Sequence, residues 1–109
     1  AGVAEERLTR PLATLGLRGP AALVRAPGPR YRWIYGQALA FFADVTYVGS
    51  CHASDAAAMS DLDELGVQTV FMLRAAEAPI DLGPRWTHRT RLPAMVFPDV
   101  QWVDVYVRR

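Results

Sequence analysis

The stretch Trp33-Ile-Tyr-Gly-Gln-Ala-Leu-Ala-Phe-Phe-Ala43 decides how the rest of the chain is arranged. It carries no charge, it lies between Arg32 and Asp44, and it contains four of the chain's aromatic residues. Such a segment predicts a helix that is apolar nearly all round, and helices of this kind are usually buried on more than one side. We therefore expect it to be the first crossover helix of a small α/β sheet, between strands at Ala21–Arg25 and Val45–Gly49.

A second helix and a third strand follow along the chain. The helix is capped by Ser54 or Asp55 and ends at Gly66, and Val67–Leu73 is the next predicted strand. The order β-α-β-α-β, with connections of about 15–20 residues, predicts right-handed crossovers and a parallel core of three strands. The sequence therefore predicts an α/β fold with a small three-layer, Rossmann-like β-α-β-α-β core.

Two flanking segments complete the predicted domain. Three leucines on one face predict an N-terminal helix over Ala4–Leu15, in which Pro11 predicts a kink or a restart. Trp86–Val107 is interpreted as a C-terminal antiparallel hairpin at the edge of the parallel core. Its second strand alternates in the pattern of a strand with one solvated face.

Length and composition limit the classes of function. A chain of 109 residues, 51% hydrophobic and 21% charged, predicts one globular α/β domain over residues 1–109. The net charge of +1 provides no electrostatic basis for binding nucleic acid. All twelve basic residues are arginine, which indicates the codon bias of a GC-rich bacterial genome. The individual arginines therefore need no functional explanation.

The start of the chain indicates a piece of a longer protein. It reads Ala-Gly-Val-Ala-Glu-Glu-Arg, without the apolar core of a signal peptide. No run approaches the ~20 apolar residues of a membrane span, and the single cysteine, Cys51, excludes an internal disulfide. Because the first residue is Ala rather than Met, we expect the domain to be excised from a longer chain.

The loops after the predicted parallel strands are the candidate ligand site, because open α/β sheets bind ligands beyond the carboxyl ends of their strands. These loops are Ala26–Arg30, Ser50–Ser54 and Arg74–Glu77, and they suit a small anionic ligand. The first loop lacks the G-x-G-x-x-G pattern of a dinucleotide site. The candidate ligand-binding residues are Arg30, Tyr31, Trp33, Cys51, His52 and Arg74.

We interpret the pair Cys51-His52 as ordinary loop residues. A nucleophilic cysteine needs a lowered pKa and a histidine that faces it, whereas neighbours in an extended chain point apart. A cysteine phosphatase needs C-x5-R, and Ala57 stands six residues after Cys51. We therefore predict no catalytic residue, no metal site and no cofactor in this domain, and leave open whether its parent protein is an enzyme.

The aromatic residues of the central helix exceed what one sheet face can bury. Phe41 and Phe42 lie about 100° apart on a helix, so both cannot point at the same sheet. We expect Phe41 to be buried, with Phe41→Ala costing roughly 3–5 kcal/mol of stability. The aromatic side chains that the sheet cannot bury have two interpretations. They pack against another element of the core, or they form an interaction surface that uses Trp33 or Tyr35.

The order of motifs along the chain adds a family resemblance. An entry helix ends Leu-x-x-Leu-Gly-Leu17 before a strand at Gly19–Val24, and the aromatic helix ends Ala-Leu-Ala-Phe-Phe-Ala43 before a strand at Val45–Gly49. Then come Asp61-Leu-Asp-Glu-Leu-Gly-Val-Gln-Thr-Val-Phe71 and a last strand ending Tyr106-Val-Arg108. This order resembles the soluble C-terminal domain that follows the membrane spans of bacterial multispanning glycosyltransferases of the GT-C class.

The resemblance implies a location on the extracytoplasmic face of the bacterial cell membrane. It implies that the domain contacts the membrane portion of the same polypeptide or the membrane surface. It also implies that the ligand is a glycan acceptor. No catalytic residue of the family falls on this chain. The first hypothesis is therefore a non-catalytic accessory domain of a membrane-bound glycosyltransferase in cell-envelope glycan assembly. The alternatives are a free-standing cytoplasmic Rossmann-like module that binds a small anion, and a homo-oligomer with the aromatic helix as interface.

Overall fold

A computed structural model describes residues 3–109, with side chains from residue 6 onwards. The first two residues of the predicted domain lie outside this range. The described residues form three helices, α1 (Val3–Thr14), α2 (Trp33–Ala43) and α3 (Ala56–Glu64). They also form five strands, β1 (Ala21–Arg25), β2 (Tyr47–His52), β3 (Thr69–Arg74), β4 (Trp86–Pro93) and β5 (Trp102–Arg108). β1 has its predicted bounds. β2 spans Tyr47–His52 rather than Val45–Gly49, so the prediction that Cys51 and His52 are loop residues is wrong, because the pairing with β1 continues to His52.

The five strands found in residues 3–109 form one mixed sheet in the order β2-β1-β3-β5-β4. β1 runs parallel to β2 and to β3, whereas β5 runs antiparallel to both β3 and β4. The predicted α/β class is confirmed as a mixed α/β fold with helices packed on a mixed sheet. The parallel part is limited to β1, β2 and β3, and the antiparallel hairpin of β4 and β5 extends the sheet.

Two apolar cores lie on opposite faces of the sheet. On the α2 face, helices α1 and α2 pack against Leu23, Phe71 and Val105. On the α3 face, Leu62 of α3 packs with Val24 and with other residues of β1 and β3. Successive side chains of a strand point to opposite faces, and this alternation decides which candidate residues meet.

Helix α1 is continuous although it contains Pro11. A proline has no amide to donate, so the turn at Pro11 lacks one backbone hydrogen bond. The predicted restart of the helix does not occur. Within residues 3–109, no helix combines the length and apolar character required to cross a membrane.

Helix α2 buries only one side. Its buried residues are Tyr35, Gly36, Leu39, Ala40 and Ala43. Phe41 points away from them and is 80% exposed. The prediction that α2 is buried on more than one side is wrong, and so is the expected burial of Phe41. The reason is that no element of the described chain covers the outer side of this helix.

Strand β5 is buried on both faces, so the prediction of one solvated face is wrong. β5 lies between β3 and β4, with Val103 and Val105 on the α2 face and Tyr106 on the α3 face. Asp104 is also fully buried. The segment around Ile80 crosses the α3 face here, and its carbonyl accepts a hydrogen bond from the Tyr106 hydroxyl at 2.6 Å.

Candidate functional site

The parallel strands β1, β2 and β3 end at one edge of the sheet, and this carboxyl edge is the predicted ligand site. The last residues of the three strands are Arg25, His52 and Arg74. Arg25 follows Leu23 on the α2 face, whereas Arg74 follows Met72 on the α3 face. The predicted set of ligand-binding residues is therefore divided between two faces.

On the α2 face, Arg25, Tyr31 and Tyr47 form a small cluster. The Arg25 guanidinium lies 5.0 Å from the centre of the Tyr31 ring, a cation–π distance. The two tyrosine hydroxyl oxygens are 3.4 Å apart. Burial, followed by the hydrogen bond to Tyr31, raises the pKa of Tyr47 above its ordinary value. Arg25 lies outside the predicted set, although its position at the end of the first strand is a usable signal.

The other candidates on this side lie at the surface. Arg30 and His52 are exposed, and Trp33 is 66% exposed. The space beside Arg25 and Tyr31 has a volume of about 10 Å³, which is enough for about one water molecule. The cluster therefore holds no preformed pocket for a larger ligand.

Arg74 is buried on the α3 face, with 3% of its surface exposed. Its Nη2 donates to Glu77 Oε2 at 2.7 Å and to the Ala78 carbonyl at 3.4 Å. Within residues 3–109, its buried Nε has no hydrogen-bond partner, and the same is true of Arg25 Nε. An unsatisfied buried donor costs about 1–3 kcal/mol. Each of the two arginines therefore has a buried Nε–H without a hydrogen-bond partner.

Cys51 belongs to the core of the α3 face, with the sheet between it and Tyr31. Its Sγ lies 3.8 Å from Sδ of Met59. Burial, and then the negative charge of Asp55, raise the pKa of the thiol. Both causes disfavour the thiolate, and they support the interpretation of Cys51 as a packing residue.

A buried polar cluster outside the predicted set joins β4 to β5. Asp104 Oδ1 lies 2.8 Å from His88 Nε2, and Arg91 donates to the same carboxylate through Nε at 2.9 Å and Nη2 at 3.0 Å. The hydrogen bond to Asp104 raises the pKa of Arg91, so this guanidinium stays charged. The sequence feature that could have predicted this cluster is a carboxylate among alternating valines, in a strand next to one that carries His88 and Arg91.

The side chains of this cluster hold β4 and β5 together. In the described chain, the hydrogen bond of the His88 imidazole goes to Asp104, and its ring meets Tyr106 edge-on at 5.2 Å. Residues 3–109 also contain no group of three or more His, Cys, Asp or Glu placed to hold a metal ion. The arrangement thus cross-links two strands.

A groove of about 510 Å³ runs between α3 and residues 80–86. This volume is within the range of small-molecule sites, and its lining is apolar at Met59 and Trp86. Asp63, at the rim, forms ion pairs with Arg85 and Arg108. None of the predicted ligand-binding residues lines the groove, and the single carboxylate of Asp63 is shared by two guanidinium groups.

The outer side of α2 carries a group of exposed apolar side chains, which we call the α2 ridge: Trp33, Ile34 and Phe41. They are 66%, 50% and 80% exposed, respectively. Ile34 and Phe41 are seven residues apart and therefore lie on the same side of the helix. The whole helix is uncharged. The outer side of α2 is therefore apolar and largely exposed.

Comparisons of the chain with protein-family models, with curated proteins and with solved structures gave no match.

Proposed function

We propose that this chain is a non-catalytic accessory domain of a membrane-bound glycosyltransferase that acts in cell-envelope glycan assembly on the extracytoplasmic side. Its α2 ridge packs against the membrane portion of the same polypeptide. The resemblance in motif order motivates the enzyme class, and the exposed α2 ridge is the observation that supports a docking role.

Exposure of the α2 ridge to water is unfavourable in free energy. Fully burying one side chain of the size of Ile or Phe contributes roughly 1.5–3 kcal/mol. The three ridge side chains are already partly covered, so a partner that covers the rest gains about twice that amount, less the cost of association. Exposed Arg30 and Arg32 stand directly before Trp33. A tryptophan next to arginines suits the boundary between apolar and polar surroundings, because each side chain combines an apolar body with a polar tip.

The complete coding sequence is the most direct test of this proposal. Several predicted membrane spans upstream of this domain would support an accessory role. A gene that encodes only this domain would contradict it, because no membrane portion would exist for the ridge to contact.

The role of the α2 ridge is tested by replacing Trp33, Ile34 and Phe41 together with serine. We expect the triple variant to lose binding to the separately expressed membrane portion in a pull-down from detergent, because the apolar contact is removed. We expect Phe41→Ala alone to change the free energy of unfolding by less than about 0.5 kcal/mol, as is usual for a surface substitution.

The matched control replaces two exposed apolar residues elsewhere, Met95 and Val96, which are 73% and 38% exposed. This control should bind like the wild type. Binding that survives the triple substitution would exclude the ridge as the contact.

A second candidate function is a free-standing Rossmann-like module that binds a small anion at the carboxyl edge. The observation that favours it is the free Nε donor on each of Arg25 and Arg74. Carboxylate and phosphate oxygens form strong, charge-assisted hydrogen bonds with guanidinium groups. Access to the Arg25 donor requires the loop after β1 to open, because the space there is close to the volume of a single water molecule.

Inorganic phosphate is the probe for this candidate. If it binds, the Nε–H resonances of Arg25 and Arg74 should shift in a saturable way in an NMR titration, and Arg25→Gln should abolish the saturation. Arg10→Gln, at an exposed position on α1, is the control. Shifts that sodium chloride reproduces at equal ionic strength would exclude a specific site.

A further inference from the structure

A recess of about 270 Å³ lies at the edge of the sheet where the parallel strands begin, opposite the carboxyl edge. We call it the amino-edge recess. Its lining combines residues 15–18, between α1 and β1, with Gln68 and Thr69 at the start of β3, Val107 and Arg108 at the end of β5, and Arg89 of β4. The volume is just below the roughly 300 Å³ at which sites for drug-sized ligands begin, so the recess suits a smaller ligand.

The charged residues of this lining all have the same sign. They are Arg18, Arg89 and Arg108, and no aspartate or glutamate of the described chain lines the recess. Arg108 is already engaged, because its guanidinium pairs with Asp63 and its Nε donates to the Val67 carbonyl at 2.7 Å. Arg18 and Arg89 are exposed, and with the described side chains neither forms an ion pair. The recess therefore carries two positive charges that no described carboxylate neutralises.

The turn after α1 adds backbone donors to these charges. Helices α2 and α3 end in turns whose amides donate back to carbonyls of the helix. After α1 the Leu15 amide donates in this way to the Pro11 carbonyl, whereas the amides of Gly16 and Leu17 have no backbone acceptor in the described chain. Gly16 has a φ of 66°, and a left-handed residue after a right-handed turn is a backbone geometry that binds anions through successive amides.

The end of α1 contributes a smaller charge of the opposite sign. A helix dipole leaves roughly half a negative charge at the C-terminus, which is less than the charge of either free guanidinium. The Thr14 hydroxyl also donates to the Arg10 carbonyl at 3.1 Å, so one carbonyl of this last turn already has an additional donor. The balance of charge at the amino-edge recess is therefore positive.

We propose that the amino-edge recess binds a phosphate group, held by the guanidinium groups of Arg18 and Arg89 and by the amides of Gly16 and Leu17. Guanidinium groups form strong, often bidentate hydrogen bonds with phosphate oxygens. A phosphate monoester carries a charge of about −1.5 to −2 at pH 7, which matches two unpaired arginines better than the single charge of a carboxylate. This site is separate from the α2 ridge and from the carboxyl edge, and it does not depend on the proposed accessory role.

An NMR titration of the described chain with inorganic phosphate at constant ionic strength tests the site. We expect saturable shifts of the Gly16 and Leu17 amides and of the Nε–H groups of Arg18 and Arg89. The double variant Arg18→Gln/Arg89→Gln should raise the dissociation constant at least about tenfold, because each lost hydrogen bond to a charged group is worth at least 1.4 kcal/mol, about a factor of ten.

The matched control is Arg7→Gln/Arg32→Gln, which removes the same charge from two exposed arginines outside the recess. This control should bind phosphate like the wild type. Equal affinity of the two double variants would overturn the proposal, because general electrostatic attraction would then explain the binding. Shifts confined to Arg25 and Arg74 would also overturn it, since they place the anion at the carboxyl edge.

Two further ligands define the chemistry of the site. Acetate should bind more weakly than phosphate, and an equal affinity for acetate would overturn the assignment to a phosphate group. Vesicles that contain phosphatidic acid identify the source of the group: retention on them that the Arg18→Gln/Arg89→Gln variant loses would support a lipid headgroup. Binding of inorganic phosphate without retention on these vesicles would support a small soluble phosphate.

Discussion

At the scale of single residues, Asp104 places a carboxylate in the interior of the sheet. It is a fully buried carboxylate, and its oxygens are matched by Arg91 and His88 on the neighbouring strand. Transfer of a charge from water to a protein interior is costly unless it is paired and hydrogen-bonded. These hydrogen bonds offset the cost of burying the Asp104 carboxylate. Removing one partner leaves the charge of the remaining group without its counter-charge.

Asp104→Ala should lower the free energy of unfolding by about 3–5 kcal/mol, because it leaves the Arg91 guanidinium half-buried without its acceptor. Urea denaturation followed by circular dichroism measures this loss. The control is Asp61→Ala, an exposed carboxylate on α3, for which we expect a change within about 0.5 kcal/mol. Similar small losses in both variants would contradict the structural role assigned to Asp104.

At the scale of elements, the contact of α2 with β2 depends on a glycine in the middle of the helix. A Cβ atom at Gly36 would overlap the ring of Tyr47, so the absence of a side chain lets α2 approach the strand. Glycine inside a helix costs roughly 0.8–1 kcal/mol relative to alanine. Close packing against the tyrosine offsets this cost.

Gly36→Ala should therefore destabilise the wild type by about 1–3 kcal/mol, the usual cost of an overpacked core. In a Tyr47→Ala background the ring is gone, and Gly36→Ala should become stabilising by up to about 1 kcal/mol through its helix propensity. Urea denaturation of the four proteins of this double-mutant cycle measures the change of sign. A Gly36→Ala effect with the same sign in both backgrounds would show that Tyr47 is not what the helix approaches.

At the scale of the whole molecule, two tyrosines and one cysteine lose their protons less readily in the folded protein than in the unfolded chain. Burial is the first cause of a raised pKa for Tyr47, Tyr106 and Cys51. A group with a raised pKa binds its proton more tightly in the folded state than in the unfolded state. Its contribution to stability is present below the unfolded pKa and is lost as the pH rises through the folded pKa.

The free energy of unfolding should therefore fall as the pH rises above about 8.5–10, the ordinary pKa range of cysteine and tyrosine. Tyr47→Phe should make this alkaline decline shallower and should change stability at pH 7 by no more than about 1 kcal/mol, the value of a typical hydrogen bond. Denaturation curves from neutral to alkaline pH measure both effects. An unchanged alkaline slope in Tyr47→Phe would exclude Tyr47 as a cause of the decline.

Local patterns in the sequence determined the elements and their order. A short apolar run fixed β1 at Ala21–Arg25, the uncharged aromatic segment predicted α2, and the alternating valines predicted β5. These features follow from backbone geometry and side-chain periodicity, which act between residues close in the chain. The same periodicity indicates which side chains share a face of one strand.

Only the tertiary structure decided which faces are covered. Periodicity correctly separated the two faces of β5, but it did not show that Asp104 is buried, and for the uniformly apolar α2 it did not show that Phe41 is exposed. It also did not separate Arg25 from Arg74, which end neighbouring strands on opposite faces of the sheet. The physical reason is that burial depends on what packs against a surface, and the covering residues, such as the segment around Ile80 over Tyr106, come from distant parts of the chain.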